Sequence, residues 1–192
     1  MKIGLTGGIG CGKSTVVKLF ADAGWKTIES DAVVRGILSD SEVVQAALRA
    51  HWGEIVFLST GEVDRKAIAA IVFRDDAELI WLETLLHPLV RAEWSNQLAA
   101  EPEHDWLVEI PLLFEKRLET EFDLTVCVIS SPDVVEARMV CRGYTGAEVE
   151  QRRLRQMPLQ EKAQRADRVI SNTGSLEFLK RQTIRLIAEI QA

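Results

Sequence analysis

Eight residues near the start of the chain, Gly7-Gly8-Ile9-Gly10-Cys11-Gly12-Lys13-Ser14, carry the pattern G-x-x-x-x-G-K-[ST] in full. The pattern has a chemical logic. Glycines let a loop wrap until its N–H groups converge on an anion, where a Cβ would block the conformation or the approach. A helix opening at the end of the loop adds the partial positive charge of its N-terminus. Lys13 supplies a cation for the β- and γ-phosphates, and the Ser14 hydroxyl a ligand for Mg²⁺. Residues Gly8, Ile9, Gly10, Cys11, Gly12, Lys13, Ser14 and Thr15 are therefore expected to bind a nucleoside triphosphate, ATP with Mg²⁺. The competing reading is an ordinary glycine-rich turn, which the flanking strand and helix disfavour. A thiol at a helix N-terminus can be activated, but Cys11 occupies a variable slot of the pattern and reads as a small filler.

Other residue types could act on a bound triphosphate. Asp31 stands just past the second expected strand, where ligands of open α/β sheets bind. Its carboxylate either orients or deprotonates an acceptor hydroxyl or simply caps the helix that follows. Arg138 and Arg142 are spaced i, i+4 and are expected on one helix face. Arg152, Arg153 and Arg155 follow after a break containing Gly143 and Gly146. Guanidinium groups on such a hinged pair either neutralise charge as a phosphoryl group moves or form a solvated face. A switch GTPase would need a guanine-reading N-K-x-D segment, which does not occur. A motor ATPase would be larger. The set points to a small-molecule kinase: a phosphate loop, a base and mobile arginines.

The elements that must position these groups read as follows. Residues 2–6 form a buried first strand, and 13–23 a helix that Gly24 stops. Residues 25–29 form a second strand, so the start of the chain is a βαβ unit and the sheet parallel. Residues 31–100 read as helical over 32–38, 43–52, 65–73 and 77–98, with a turn at 59–61. Strands resume at 106–110 and 124–129, the second covered on both faces. Pro132 opens a helix carrying Arg138 and Arg142, and 147–156 form another. A last strand at 168–170 precedes an amphipathic helix running to the C-terminus. The expected fold is α/β: a P-loop NTPase-type three-layer sandwich with a parallel five-stranded sheet. Residues 1–30, 101–137 and 157–192 would form the nucleotide-binding core, 31–100 a helical acceptor-binding insertion and 138–156 an arginine-bearing lid.

Composition agrees with one such domain of 192 residues, 47% hydrophobic and 27% charged. The net charge of −6 argues against nucleic acid and anionic membrane as partners, though not against a small anion held by a few convergent donors. No apolar run approaches the ~20 residues that span a bilayer. Three cysteines without C-x-x-C spacing fit reduced thiols and a cytoplasmic location.

Beyond the loop, further segments fall in a recognisable order. They are Glu29-Ser30-Asp31, Leu85-Leu86-His87-Pro88-Leu89, Ile110-Pro111-Leu112-Leu113-Phe114-Glu115, Arg138 to Arg142, Gln156, and Ala166-Asp167 through Asn172-Thr173-Gly174. With the opening loop, this set resembles the dephospho-coenzyme A kinase family over nearly the whole chain. The resemblance implies ATP-dependent phosphorylation of the ribose 3′-hydroxyl of dephospho-CoA. It implies Asp31 as the base, Arg138 and Arg142 with Lys13 around the moving phosphoryl group, His87 in the acceptor subdomain and Asn172 lining the adenine pocket. The chain departs from the family pattern at Glu29, at Glu109 and at Gly143, where the family tends to have Asp. A monomer or weak homo-oligomer is expected. The rival readings are a kinase of another small acceptor, such as a nucleoside monophosphate or shikimate-like alcohol, and a nucleotide-switch regulator.

Overall fold

Five short apolar segments become strands: β1 (Lys2–Gly7), β2 (Lys26–Glu29), β3 (Trp106–Glu109), β4 (Leu124–Ile129) and β5 (Arg168–Ser171). They pair in the order β2-β3-β1-β4-β5, every ladder parallel. β1 is buried from Ile3 to Gly7 and β3 throughout, as strands covered on both faces must be. β1 lies at the centre, between β3 and β4, and the strand order reverses there. The crevice outside the carboxyl end of a strand at such a reversal is where open α/β sheets bind ligands. The loop of residues 8–12 leaves β1 at that point.

The computed structural model describes residues 1–191. The expectation that the last helix continues to the C-terminus reaches Ala192, which lies outside the described residues. Nine α-helices occur among the described residues: α1 (Lys13–Asp22), α2 (Ser30–Asp40), α3 (Glu42–Trp52), α4 (Arg65–Val72), α5 (Asp76–Ala100), α6 (Pro132–Cys141), α7 (Gly146–Leu154), α8 (Leu159–Arg165) and α9 (Leu176–Gln191). The chain forms two compact units: Met1–Glu29 with the chain from Glu101 onward, and Ser30–Ala100.

In the first unit, Val16 and Phe20 of α1 and Leu179 and Leu186 of α9 close over Ile3 and Leu5 of β1. Each such side chain contributes about 1.5–3 kcal/mol on full burial. Trp25, expected as the first residue of β2, precedes the strand and packs edge-on against Phe20, ring centroids 5.2 Å apart. In the second unit, Leu38, Val44, Leu48, Ile68, Val72 and Leu86 form a separate core. Ser41 caps α3 by accepting from Val44 N, and Asp64 caps α4 by accepting from Lys66 N and Ala67 N. The turn expected at 59–61 is present, closed by the Leu58 N–H donating to Glu62 O at 2.8 Å.

Two further expectations about local structure change, and one helix is new. α2 begins at Ser30, so Asp31 lies within its first turn and does not cap it. α6 ends at Cys141, so Arg142 is its C-cap residue and not part of a helix face shared with Arg138. α8 was not foreseen: Pro158 opens this short helix.

Candidate active site

Where β1 ends, Gly7 has φ 148°, and a Cβ there would stand 2.3 Å from the Val128 carbonyl of β4. Only glycine lets the first strand pass so close to its neighbour while turning into the loop. Five residues on, Gly12 has φ 93° and serves as the N-cap of α1 without a side-chain cap bond. The first-turn N–H groups of α1 therefore have no side chain to satisfy them. That is how a helix N-terminus is left for an anionic ligand.

Lys13 curls over this loop. Its Nζ donates to the Gly7 and Gly8 carbonyls, each at 3.3 Å, and pairs with Glu109 Oε1 at 3.5 Å. Glu109 ends β3, level with Leu5 of β1, and is 5% exposed. The Ser14 side chain is exposed at the start of α1. The Cys11 N–H donates to Gly8 O at 3.3 Å, which closes the turn. The Cys11 thiol is buried, and burial pushes its pKa up, against Lys13, the Gly8 and Ser130 backbones and Arg138. A thiol held neutral is a filler, not a nucleophile.

Asn172, just past β5, braces the loop from behind. Its Nδ2 donates to Cys11 O at 2.8 Å, while its own carbonyl accepts from Ser130 Oγ at 2.8 Å. Arg138 donates to Asn172 Oδ1 at 3.1 Å and to Gly10 O at 3.4 Å. Arg138 and Asn172 thus meet at the loop. Arg142 does not join them; it is exposed at the end of α6.

α7 is started by a capping box between Thr145 and Glu148, and the Thr145 backbone N–H holds the Glu148 carboxyl below its usual range. The Arg152 guanidinium lies 4.8 Å from the centre of the Tyr144 ring, and Arg153 pairs with Glu150 at 3.1 Å. Asp31 and His87 belong to the second unit. Asp31 is exposed in the first turn of α2, and His87 is half-buried in α5 beside Pro88.

Sequence reasoning missed one feature of the first unit, a fully buried Lys162 on α8, ion-paired with Glu115 at 2.8 Å. The signal was available: Leu159, Lys162, Ala163 and Ala166 fall on one helical stripe. A lysine on an apolar stripe points to a buried partner.

A parallel sheet reversing at β1, with a glycine-rich loop running into the start of α1 at the reversal, is the architecture of the P-loop NTPase class. The model of the dephospho-CoA kinase family matches residues 1–177, and the chain belongs to that family. A dephospho-CoA kinase from Anaeromyxobacter dehalogenans is 37% identical over 193 residues, covering 98% of this chain and 92% of its own. Among solved structures, one from Thermus thermophilus superposes with a TM-score of 0.82 at 37% identity, covering 98% of this chain and 97% of that one. The dephospho-CoA kinase from Campylobacter jejuni superposes with a TM-score of 0.72 at 25% identity, covering 99% and 98%.

Proposed function

We propose that this enzyme transfers the γ-phosphoryl group of ATP to the ribose 3′-hydroxyl of dephospho-CoA, giving coenzyme A and ADP. The observation that carries the reading is the loop itself. In a chain of the dephospho-CoA kinase family, the uncapped start of α1 and the Lys13 ammonium converge on one place.

The 3′-oxygen attacks the γ-phosphorus in line, the bond from phosphorus to the β–γ bridging oxygen breaks, and the hydroxyl proton leaves. Loop N–H groups and Lys13 hold the phosphates and stabilise charge on the transferred group. Asp31 follows β2 after a single residue, and its carboxylate takes or orients the hydroxyl proton. Arg138 and Arg142 neutralise charge on the moving phosphoryl group, Arg142 after movement of the segment 138–156. His87 contributes to the acceptor site, and Asn172 lines the adenine pocket besides bracing the loop. Ser14 offers a hard oxygen donor suited to Mg²⁺, and the Glu109 carboxylate, paired with the adjacent Lys13, would act on the ion through a water. Bound there, Mg²⁺ would neutralise charge on the β- and γ-phosphates.

Among the described residues no helix is long and apolar enough to cross a membrane. We place the enzyme in the cytoplasm, acting on a small-molecule substrate as a monomer or weak homo-oligomer.

The test is a panel of acceptors with labelled ATP. Dephospho-CoA should be phosphorylated at the 3′-position, with nucleoside monophosphates and shikimate-like alcohols left unlabelled. Preferential labelling of another acceptor would sink the substrate assignment. Slow ATP loss unaffected by every acceptor would sink the kinase reading.

A further inference from the structure

Lys162 has no exposed surface, and lysine is almost never fully buried without a partner. Its Nζ pairs with Glu115 at 2.8 Å and donates to the Pro111 carbonyl at 2.6 Å. Glu115 Oε1 also accepts the Met157 N–H at 2.8 Å. The Pro111 carbonyl also accepts from Thr6 Oγ1 at 3.2 Å. A continuous polar chain results, from Met157 N–H through Glu115, Lys162 and the Pro111 carbonyl to Thr6. Its ends are informative. Met157 lies just after α7, where the arginine-bearing segment rejoins the core, and Thr6 directly precedes Gly7 of the phosphate loop.

We propose that Glu115 and Lys162 form a buried clasp that fixes the returning end of the segment 138–156 against the loop after β3, making both positioning residues for phosphoryl transfer. This rests on the kinase reading above.

Stability alone does not explain the arrangement. A buried ion pair stabilises a fold poorly, and apolar residues of similar volume do as well or better. What the pair supplies is geometry. The other end of the segment is tied through Arg138 to Gly10 O and Asn172. The residues between therefore move with both ends fastened, and Gly143, at φ 81°, lies in the bend between α6 and α7. Arginines on such a segment are aimed by its anchors, and a misplacement of ~1 Å in reacting groups can cost about 10²-fold in rate.

The experiment compares two double variants, K162M/E115Q and K162M/E115A. Both remove the buried charges. Only the glutamine keeps an oxygen for the Met157 N–H. The alanine variant should show kcat with dephospho-CoA at least ~10-fold below the glutamine variant, with KM for ATP changed by no more than about 2-fold. Its amide exchange should accelerate at Met157 and across residues 146–156, with β1 and β4 unchanged. Equal kcat in the two variants, or protection lost through the whole sheet, would overturn the clasp. Should the alanine variant not fold, the unmodified enzyme decides. A Met157 amide exchanging at the rate of unstructured peptide overturns the proposal, and a strongly protected one supports it. The exchange arm needs no acceptor, so it stands apart from any failure of the dephospho-CoA assignment.

Discussion

Replacing Gly12 with alanine probes the brace behind the phosphate loop, and its cost can be worked from the geometry. The position has φ 93°, where an L side chain costs ~1–2 kcal/mol. The new Cβ would stand 2.2 Å from Asn172 Nδ2, so Asn172 must move. Moving it breaks the 2.8 Å bond to the Cys11 carbonyl, and leaving a buried acceptor unpaired costs about 1–3 kcal/mol. The central sum is roughly 3 kcal/mol, a Tm lower by ~6–12 °C at about 2–4 °C per kcal/mol for a chain of this size. Asn172→Ala alone loses the same Cys11 bond together with the Arg138 contact. In the double variant the clash partner is gone, so alanine at position 12 adds only its backbone strain to the losses of Asn172→Ala. The two costs should then fall short of additivity by ~1–3 kcal/mol. Denaturant unfolding of the four proteins measures this cycle, and nucleotide titration should show weakened binding in parallel. Additivity within ~0.5 kcal/mol would refute the reasoning, because the loop and Asn172 would then be independent.

Asp31→Asn should lower kcat by about 10²–10⁴-fold while ATP affinity is largely kept, as for a lost general base; normal turnover would remove Asp31 from that role. Native protein should react with thiol reagents at the exposed Cys141 and not at the buried Cys11 or Cys127, as mass mapping of the labelled chain would read. Burial pushes the Cys127 thiol up from 9.0 to about 12. The folded state keeps the proton that the unfolded chain releases, so stability is intact below pH 9.0 and falls between there and about pH 12. Cys127 should contribute a slope of about 1.4 kcal/mol per pH unit, and Cys127→Ala should remove that share, leaving the part due to the buried Cys11 thiol. The Thr125 hydroxyl holds the Asp167 carboxyl below its usual range. That support exists above the carboxylate's unfolded pKa and vanishes as pH falls through the folded one. Thr125→Val should therefore raise the midpoint of acid unfolding and leave neutral activity intact.

Legibility in the sequence followed how local each signal is. β4 was readable residue for residue, because an unbroken apolar run has few other homes than a covered strand. The phosphate loop was readable because its glycines answer a requirement of the backbone alone. Helices of the second unit announced themselves by period, while the caps Ser41 and Asp64 emerged only in the structure. Trp25 misled, since a tryptophan beside a strand looks like its first residue until Phe20 is seen across from it. Arg142 misled because a spacing of four implies a shared face only while the helix lasts. The pairing of Lys162 and the brace by Asn172 were illegible for another reason. Their partners lie 47 and 161 residues away, Glu115 and Cys11, and no local pattern encodes such meetings.

Lys13 rests on two loop carbonyls and the Glu109 carboxylate, so this cation comes with its own internal counter-anion. On the proposed reading, a nucleotide entering the loop competes for Lys13 with a negative group that is tethered to the chain and effectively at very high local concentration. Chloride or a lone phosphate competes poorly against such a tether, whereas a chelated triphosphate engages many donors at once. On the proposed reading, the pairing would favour a chelated triphosphate over simple anions before any base or sugar is examined.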